Sequence, residues 1–373
     1  MRIAVLSDIH SQDKFEFIRG YLQKKAPEWK IDLIVVNGDI LGENESREGY
    51  GYKHDHGKYL SALDRKGILG KLAPGLADKL ASVPKEGASD SEKLEYSLLI
   101  KEYIRARYSL AYQDLRQLSL ISKTLYNVGT YESPLLYNVF RELAFLLSAE
   151  EQEIRKLAIL SDYRDIFKDF LSQIKSENPK QLAYIGGQTV LIGDLLIAGI
   201  PGFNPSSGPQ DAASEFQENT ALELSMSIKR QLSYAAKLVI FNQTQGRLRK
   251  DPFAFRPQSQ AIRGLIEDLS GKLKTKVFYQ SYHHLMTTHL YQASDFHFIL
   301  SNSACNNCLF NILDVGQKVG CYDVDPVLGK LRLLNTYKDN VEEHETPEKR
   351  LSLNYADYKE VIKERSIEGC YYM

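Results

Sequence analysis

Two carboxylates and a histidine stand where an α/β protein would build a site. Asp8 and His10 follow the apolar run at residues 2–6, and Gly38-Asp39 follows the run at residues 31–36. A carboxylate and an imidazole two residues apart on a turn can point to one centre, and a carboxylate from the next strand end can join them. Such oxygen and nitrogen donors suit Mn, Fe, Zn or a similar divalent ion. A carboxylate shared between two ions roughly 3.5–4 Å apart is the core of two-metal phosphoester chemistry. Glycine ahead of Asp39 lets the backbone come close to the ions. An Asp in a strand-end turn is often only a turn cap. Two such turns in succession favour the metal reading.

The elements that must hold these residues are legible as patterns. Residues 2–6 and 31–36 are short β-branched runs, each ending in a turn. Between them Phe15, Phe17, Ile18, Tyr21 and Leu22 recur at helical spacing. A strand–helix–strand unit of this kind predicts a parallel pair. Polar residues past the C-terminal ends of parallel strands are where open α/β sheets place their sites. Helical patterns fill 44–120, including a long amphipathic segment at about 91–119, and again 134–178. They read as helical insertions covering one side of a core domain. Strand signals return at 123–128 and, from 184 on, at 188–192, 195–200, 237–241, 275–280, 297–301, 307–314 and 318–336. Helical patterns at 211–232 and 258–269 separate some of them. The close spacing of the last strands predicts antiparallel hairpins. Residues 1–340 then form one domain, and 341–373 a charged, Tyr-rich tail with a helix pattern at 355–366.

The bulk numbers narrow the function classes. The chain has 373 residues, 47 Lys+Arg against 48 Asp+Glu and a net charge of -1. That balance gives no electrostatic case for a dedicated nucleic-acid or membrane-surface protein. It leaves a local basic groove open. The N-terminus runs from Leu6 straight into a polar turn, which predicts no signal peptide. No apolar run reaches the ~18 residues that a spanning helix needs. The 4 cysteines are too few for a disulfide scaffold and predict a reducing cytoplasm.

The motifs, taken together, resemble the calcineurin-like metallophosphoesterase family. The resemblance is carried by VLSDIHSQ at 5–12 and IVVNGDILGE at 34–43. It continues in order through LYNVGTYES at 125–133, TVLIGDLLIAGIPGFN at 189–204, KLVIFNQTQG at 237–246 and KVFYQSYHHL at 276–285. It implies a four-layer α/β/β/α sandwich and a divalent-metal phosphoesterase site. Matched residue by residue, it keeps Asp8, His10, Asp39 and His283 as metal ligands, with Asn242 at the position of a histidine ligand. Other positions depart from the pattern. Thr130 stands where an asparagine ligand is expected, Tyr131 where the acid histidine is expected, and Leu285 where a last histidine ligand is expected. Tyrosine is a poor acid at neutral pH, with an ordinary pKa near 10. A strand-end neighbour points the other way, so His284 does not simply replace Leu285.

Weaker candidates remain. His54 and His56 form a possible metal pair that reads better as a polar loop. Cys305 and Cys308 have zinc-like spacing, with only Cys321 and Cys370 to complete four thiolates, and read better as core thiols. Arg247, Arg249 and Lys250 form a small basic cluster that reads better as a solvated loop. Two functions stay open. One is a catalytically impaired member acting as a binding or scaffold subunit, holding one ion or a weakly bound ion and meeting a protein partner through the helical insertions. The other is an active phosphodiesterase or nuclease-like hydrolase with an atypical site. The reading favours the first. A phosphoester ligand fits either, a nucleic-acid partner is left open, and no membrane partner is expected.

Overall fold

The computed structural model describes residues 1–9, 12–40, 76–80, 82–84, 87–129, 132, 140, 143, 149–158, 163–203, 210–244, 260–269, 271–281, 288–293, 296–301, 308–316, 318–326, 329–334 and 338–339. Strand β1 (Arg2–Leu6), helix α1 (Gln12–Trp29) and strand β2 (Leu33–Asn37) make the expected opening unit. β1 and β2 pair in parallel, Ile3 opposite Leu33 through Leu6 opposite Val36. Helices α2 (Leu76–Leu80) and α3 (Asp90–Ser119) precede β3 (Lys123–Asn127). Helices α4 (Glu151–Ala158) and α5 (Arg164–Ser176) then lead to β4 (Leu182–Tyr184). β2, β3 and β4 continue the parallel order.

The second half builds the other sheet. β5 (Thr189–Ile192) and β6 (Leu195–Phe203) form an antiparallel hairpin. Helix α6 (Gln210–Gln231) precedes β7 (Lys237–Thr244), and helix α7 (Gln260–Leu269) precedes β8 (Thr275–Ser281). β9 (His289–Ala293) and β10 (Phe296–Ser301) follow. Strands β11 (Phe310–Val315), β12 (Val319–Asp325) and β13 (Lys330–Leu333) return to the first sheet as an antiparallel meander. A short β14 (Lys338–Asp339) closes the described chain. The sheet orders are β13-β12-β11-β1-β2-β3-β4 and β14-β9-β10-β8-β7-β6-β5.

Alternation of side chains explains why two such sheets stack. Ile3 and Val5, Leu33 and Val35, Val239 and Phe241, and Val277 and Tyr279 share one buried cluster between the sheets. Their strand neighbours Ala4, Leu6, Ile34 and Val36 face α1 and α3 in a second cluster. Leu238, Ile240 and Phe278 face α6 and α7 in a third. Strands buried on both faces read as continuous apolar runs, as these do. Helix, sheet, sheet and helix are therefore the four layers the resemblance implies.

The long helix is part of the core rather than an appendage. α3 starts at a capping box in which Ser89 and Glu92 bond reciprocally. Its face of Tyr103, Ile104, Tyr108, Ala111, Leu115 and Leu118 is buried in the outer core. That face lies against β3, β4, α4 and α5. The pattern at 318–336 proves to be two antiparallel strands, β12 and β13. β4, β9 and β14 were not anticipated, since three- and two-residue strands show no alternation and HLYQA carries little apolar signal. The expected tail helix at 355–366 lies outside the described residues. Among the described residues no helix is long and apolar enough to cross a membrane.

Candidate functional site

The C-terminal ends of β1 and β2 are stitched into one turn. Asp8 N–H donates to the Gly38 carbonyl at 3.1 Å, and Ile9 N–H to the Asp39 carbonyl at 2.9 Å. Asp8 and Asp39 both adopt left-handed backbone, with φ of 52° and 53°. Each such residue costs on the order of 1 kcal/mol, and Asp tolerates it better than most. Gly38, at φ 79°, has no alternative: a Cβ there would lie 2.4 Å from Gln243 Cγ and 2.6 Å from Gly129 Cα. Both carboxylates are 0% exposed. Strained backbone and buried carboxyl groups concentrate at this one corner, as they do in functional sites.

A glutamine stands between the two acids. The Gln243 side-chain amide donates to Asp8 Oδ1 at 3.0 Å and to Asp39 Oδ2 at 2.9 Å. Its other end, Oε1, accepts from the Ser281 hydroxyl. Ser281 Oγ in turn accepts from Asn37 Nδ2 at 2.8 Å. Asn37 Oδ1 accepts from Asn127 Nδ2 at 2.8 Å, and Asn127 also donates to the Ile200 carbonyl at 2.8 Å. Period two explains the convergence. Asn37 follows Leu33 and Val35, Asn127 follows Leu125, Gln243 follows Phe241, and Ser281 follows Tyr279 on the face between the sheets. Gly199 leaves them room, since a Cβ there would lie 2.9 Å from Asn127 Oδ1.

Glu132 buttresses Asp39 from the other side. Its Oε2 accepts the backbone N–H groups of Asp39 and Gly129, each at 2.9 Å. Tyr108 on α3 donates to the Glu132 carbonyl at 2.8 Å, which ties the long helix to the site. Burial, and after it the Glu132 charge, raises the Tyr108 hydroxyl well above its ordinary pKa, and Tyr126 shifts the same way. A second polar set lies at the ends of β8, β11 and β12. Tyr279 donates to Asn311 Oδ1 at 2.7 Å, and Asn311 Nδ2 donates to Asp323 Oδ1 at 2.8 Å. Arg332 reaches Asp323 at 3.2 Å. Burial raises the Asp323 pKa against the hydrogen bonds and the arginine, which lower it.

Of the ligand set expected from sequence, the structure brings Asp8 and Asp39 together. His10 and His283 lie outside the described residues, as do Thr130, Tyr131, Tyr282, His284 and Leu285. So do His54, His56, Arg247, Arg249, Lys250 and Cys305. Asn242 is buried at the same strand end, and its carbonyl accepts from Asn37 Nδ2 at 3.0 Å. The side chain of this strand end that bonds both carboxylates is its neighbour, Gln243. Alternation puts Asn242 on the face of Ile240, toward the outer core. Cys308 packs against the outer core and Cys321 lies in the core between the sheets, so these two thiols face different layers.

Gln243, Ser281, Asn37 and Asn127 were not singled out from sequence. Their signal is that each closes an apolar strand run on its inward parity. As arranged, Asp8, Asp39 and Gln243 do not by themselves make a good site for a divalent ion at this corner. The group facing both carboxylates is an N–H donor, which offers a cation no lone pair. Among the described residues no three His, Cys, Asp or Glu side chains form a group that could hold a metal.

Residues 1–78 match the family model for calcineurin-like phosphoesterase, a family that uses divalent metals. No curated protein matches the chain in sequence. Among solved structures it is similar to GAP50, the anchor in the inner membrane complex of Plasmodium, at 9% identity and a TM-score of 0.41, over 95% of this chain and 94% of that one. It is similar to a putative 5'-nucleotidase from Staphylococcus aureus at 12% identity and a TM-score of 0.36, over 96% of this chain and 58% of that one. It is also similar to the Thermus thermophilus sulfate thiohydrolase SoxB at 9% identity and a TM-score of 0.39, over 96% of this chain and 61% of that one. The chain thus spans less than two thirds of the last two proteins. The opening strands, their turns and the first carboxylates lie inside the segment that matches the calcineurin-like phosphoesterase model.

Proposed function

We propose that this chain is a catalytically impaired member of its family that acts as a binding or scaffold subunit. The observation that carries the proposal is Gln243, whose amide donates to both Asp8 and Asp39. A neutral donor there bonds one oxygen of each of two buried acids. The replacements at Thr130, Tyr131 and Leu285 support the same reading, because they remove ligands and the proton donor together. Loss of a general acid costs about 10²–10⁴-fold by itself. The chain then holds at most one divalent ion, Mn, Fe or Zn, with low affinity, through Asp8, His10 and Asp39. His283 is a remnant of the second centre, and Gln243 rather than Asn242 is the residue of β7 that faces the carboxylates.

The partner is a protein, met through the helical segments within 44–120 and 134–178. The inward face of α3 is committed to the core, while Leu94 and Leu98 on its outer side are 48% and 50% exposed. The cysteine usage supports a cytoplasmic location. The competing reading is an active hydrolase, favoured by the retention of Asp8 and Asp39. A cleft beside Val128 and Gly202 speaks against a phosphate pocket there, because Glu223 is the charged residue in its lining. The test is hydrolysis of a nitrophenyl phosphodiester by the full chain with Mn present. The expected result is no turnover above background. Turnover near the enzyme median of about 10 s⁻¹ would overturn the proposal.

A further inference from the structure

An amide has two ends, and they differ for a cation. The oxygen can ligate a metal and the nitrogen cannot. Which end of Gln243 faces Asp8 and Asp39 therefore decides whether this corner accepts or rejects a divalent ion. Two things set that choice. The first is local: turning the amide over would aim Oε1 at two carboxylate oxygens. The second is the partner of Oε1, which is the Ser281 hydroxyl.

Ser281 has one hydrogen to give. Its oxygen accepts from Asn37 Nδ2 at 2.8 Å, and Asn37 is itself fixed by the donation from Asn127 at 2.8 Å. Each donor in this row is thus aligned from Asn127 toward the acids. If Gln243 turned over, Ser281 would face an N–H group and its hydrogen would need a new acceptor. The nearby choices are the carbonyls of Asn37 and Asn242, at 3.4 and 3.5 Å, beyond good hydrogen-bond range. Ser281 is 2% exposed, so bulk water does not offer an easy substitute.

We infer that Ser281 is a positioning residue that holds the Gln243 amide nitrogen toward Asp8 and Asp39, and so closes this corner to divalent cations from within the chain. The inference rests on the proposed impairment of the metal site and names its cause. It predicts a gain of metal binding from the loss of one hydroxyl. In Ser281→Ala the amide is no longer held at its oxygen end, and a cation arriving between the acids can turn it. The expected gain in Mn affinity is about fivefold, the worth of one ordinary hydrogen bond. Gln243→Ala removes the donor altogether and should gain more than about tenfold, since two charge-assisted bonds no longer oppose the ion.

The test is calorimetric titration of the full chain with Mn, comparing wild type, Ser281→Ala, Ser281→Thr and Gln243→Ala. Ser281→Thr keeps the hydroxyl on a strand residue and should bind as wild type does. Ser281→Cys keeps the volume with a weak donor and should also gain, which covers failure of the alanine variant to fold. A gain in Ser281→Ala and Ser281→Cys with none in Ser281→Thr is the expected result. Equal affinity in wild type and in every Ser281 variant would overturn the inference, whatever Gln243→Ala does. That failure is distinct from failure of the functional proposal, which is read on wild type alone as phosphodiester turnover.

Discussion

Gly129 shows how little room this site leaves. A Cβ there would lie 2.0 Å from Asp39 N and 2.2 Å from Asp39 Oδ1. Gly129→Ala must therefore push the Asp39 turn out of place, at a cost of about 3 kcal/mol. Urea unfolding would show it as a lower midpoint with the slope unchanged. Glu132→Ala should cost a similar amount, about 3 kcal/mol, because two buried N–H groups lose their acceptor. Tyr108→Phe on the same titration should cost about 1 kcal/mol, the loss of one hydrogen bond to the Glu132 carbonyl. At this scale the sequence was half legible. Asp8 and Asp39 announce themselves because an acid after a strand and a glycine before it have a chemical meaning. Gln243 does not, because glutamine beside an asparagine has none until the inward parity of β7 is known.

Elements carry the site by where they end. β1, β2, β3, β7 and β8 each bring a polar residue or acid at or just past their ends to the same edge, so five separate chain segments meet there. The apolar runs that set those ends were plain in the sequence, and so was the amphipathic face of α3. That α3 covers one side of the core was legible too, but not which strands and helices its face meets, since amphipathicity says which face is buried and not against what. Its capping box is a separate, exposed feature. Ser89→Ala should cost about 1 kcal/mol and lower the thermal midpoint without touching the site. On β10, burial lowers the pKa of His297 from its ordinary 6.5. A depressed value means the unfolded chain binds the proton first as pH falls. The His297 contribution to stability is then present above pH 6.5 and is lost as pH falls through the lowered value. Replacing it with Gln should flatten the pH dependence of the unfolding midpoint in that window.

The whole molecule is two sheets joined by an apolar core that ends in a polar seam. Asn37 and Asn127 belong to one sheet, Gln243 and Ser281 to the other, and Asp8 and Asp39 cap the row. Here an amide–hydroxyl chain makes the junction between the sheets. The four layers could be foreseen because motif order and strand spacing are global features of the chain. The seam could not, because it depends on pairs as distant as Asn37 and Ser281. The most direct measurement of this account is the metal content of the purified full chain, loaded with Mn and then dialysed. The account predicts less than one retained ion per chain, and an unfolding midpoint that a chelator does not move. Two retained ions per chain, the stoichiometry of a two-metal hydrolase, would contradict it.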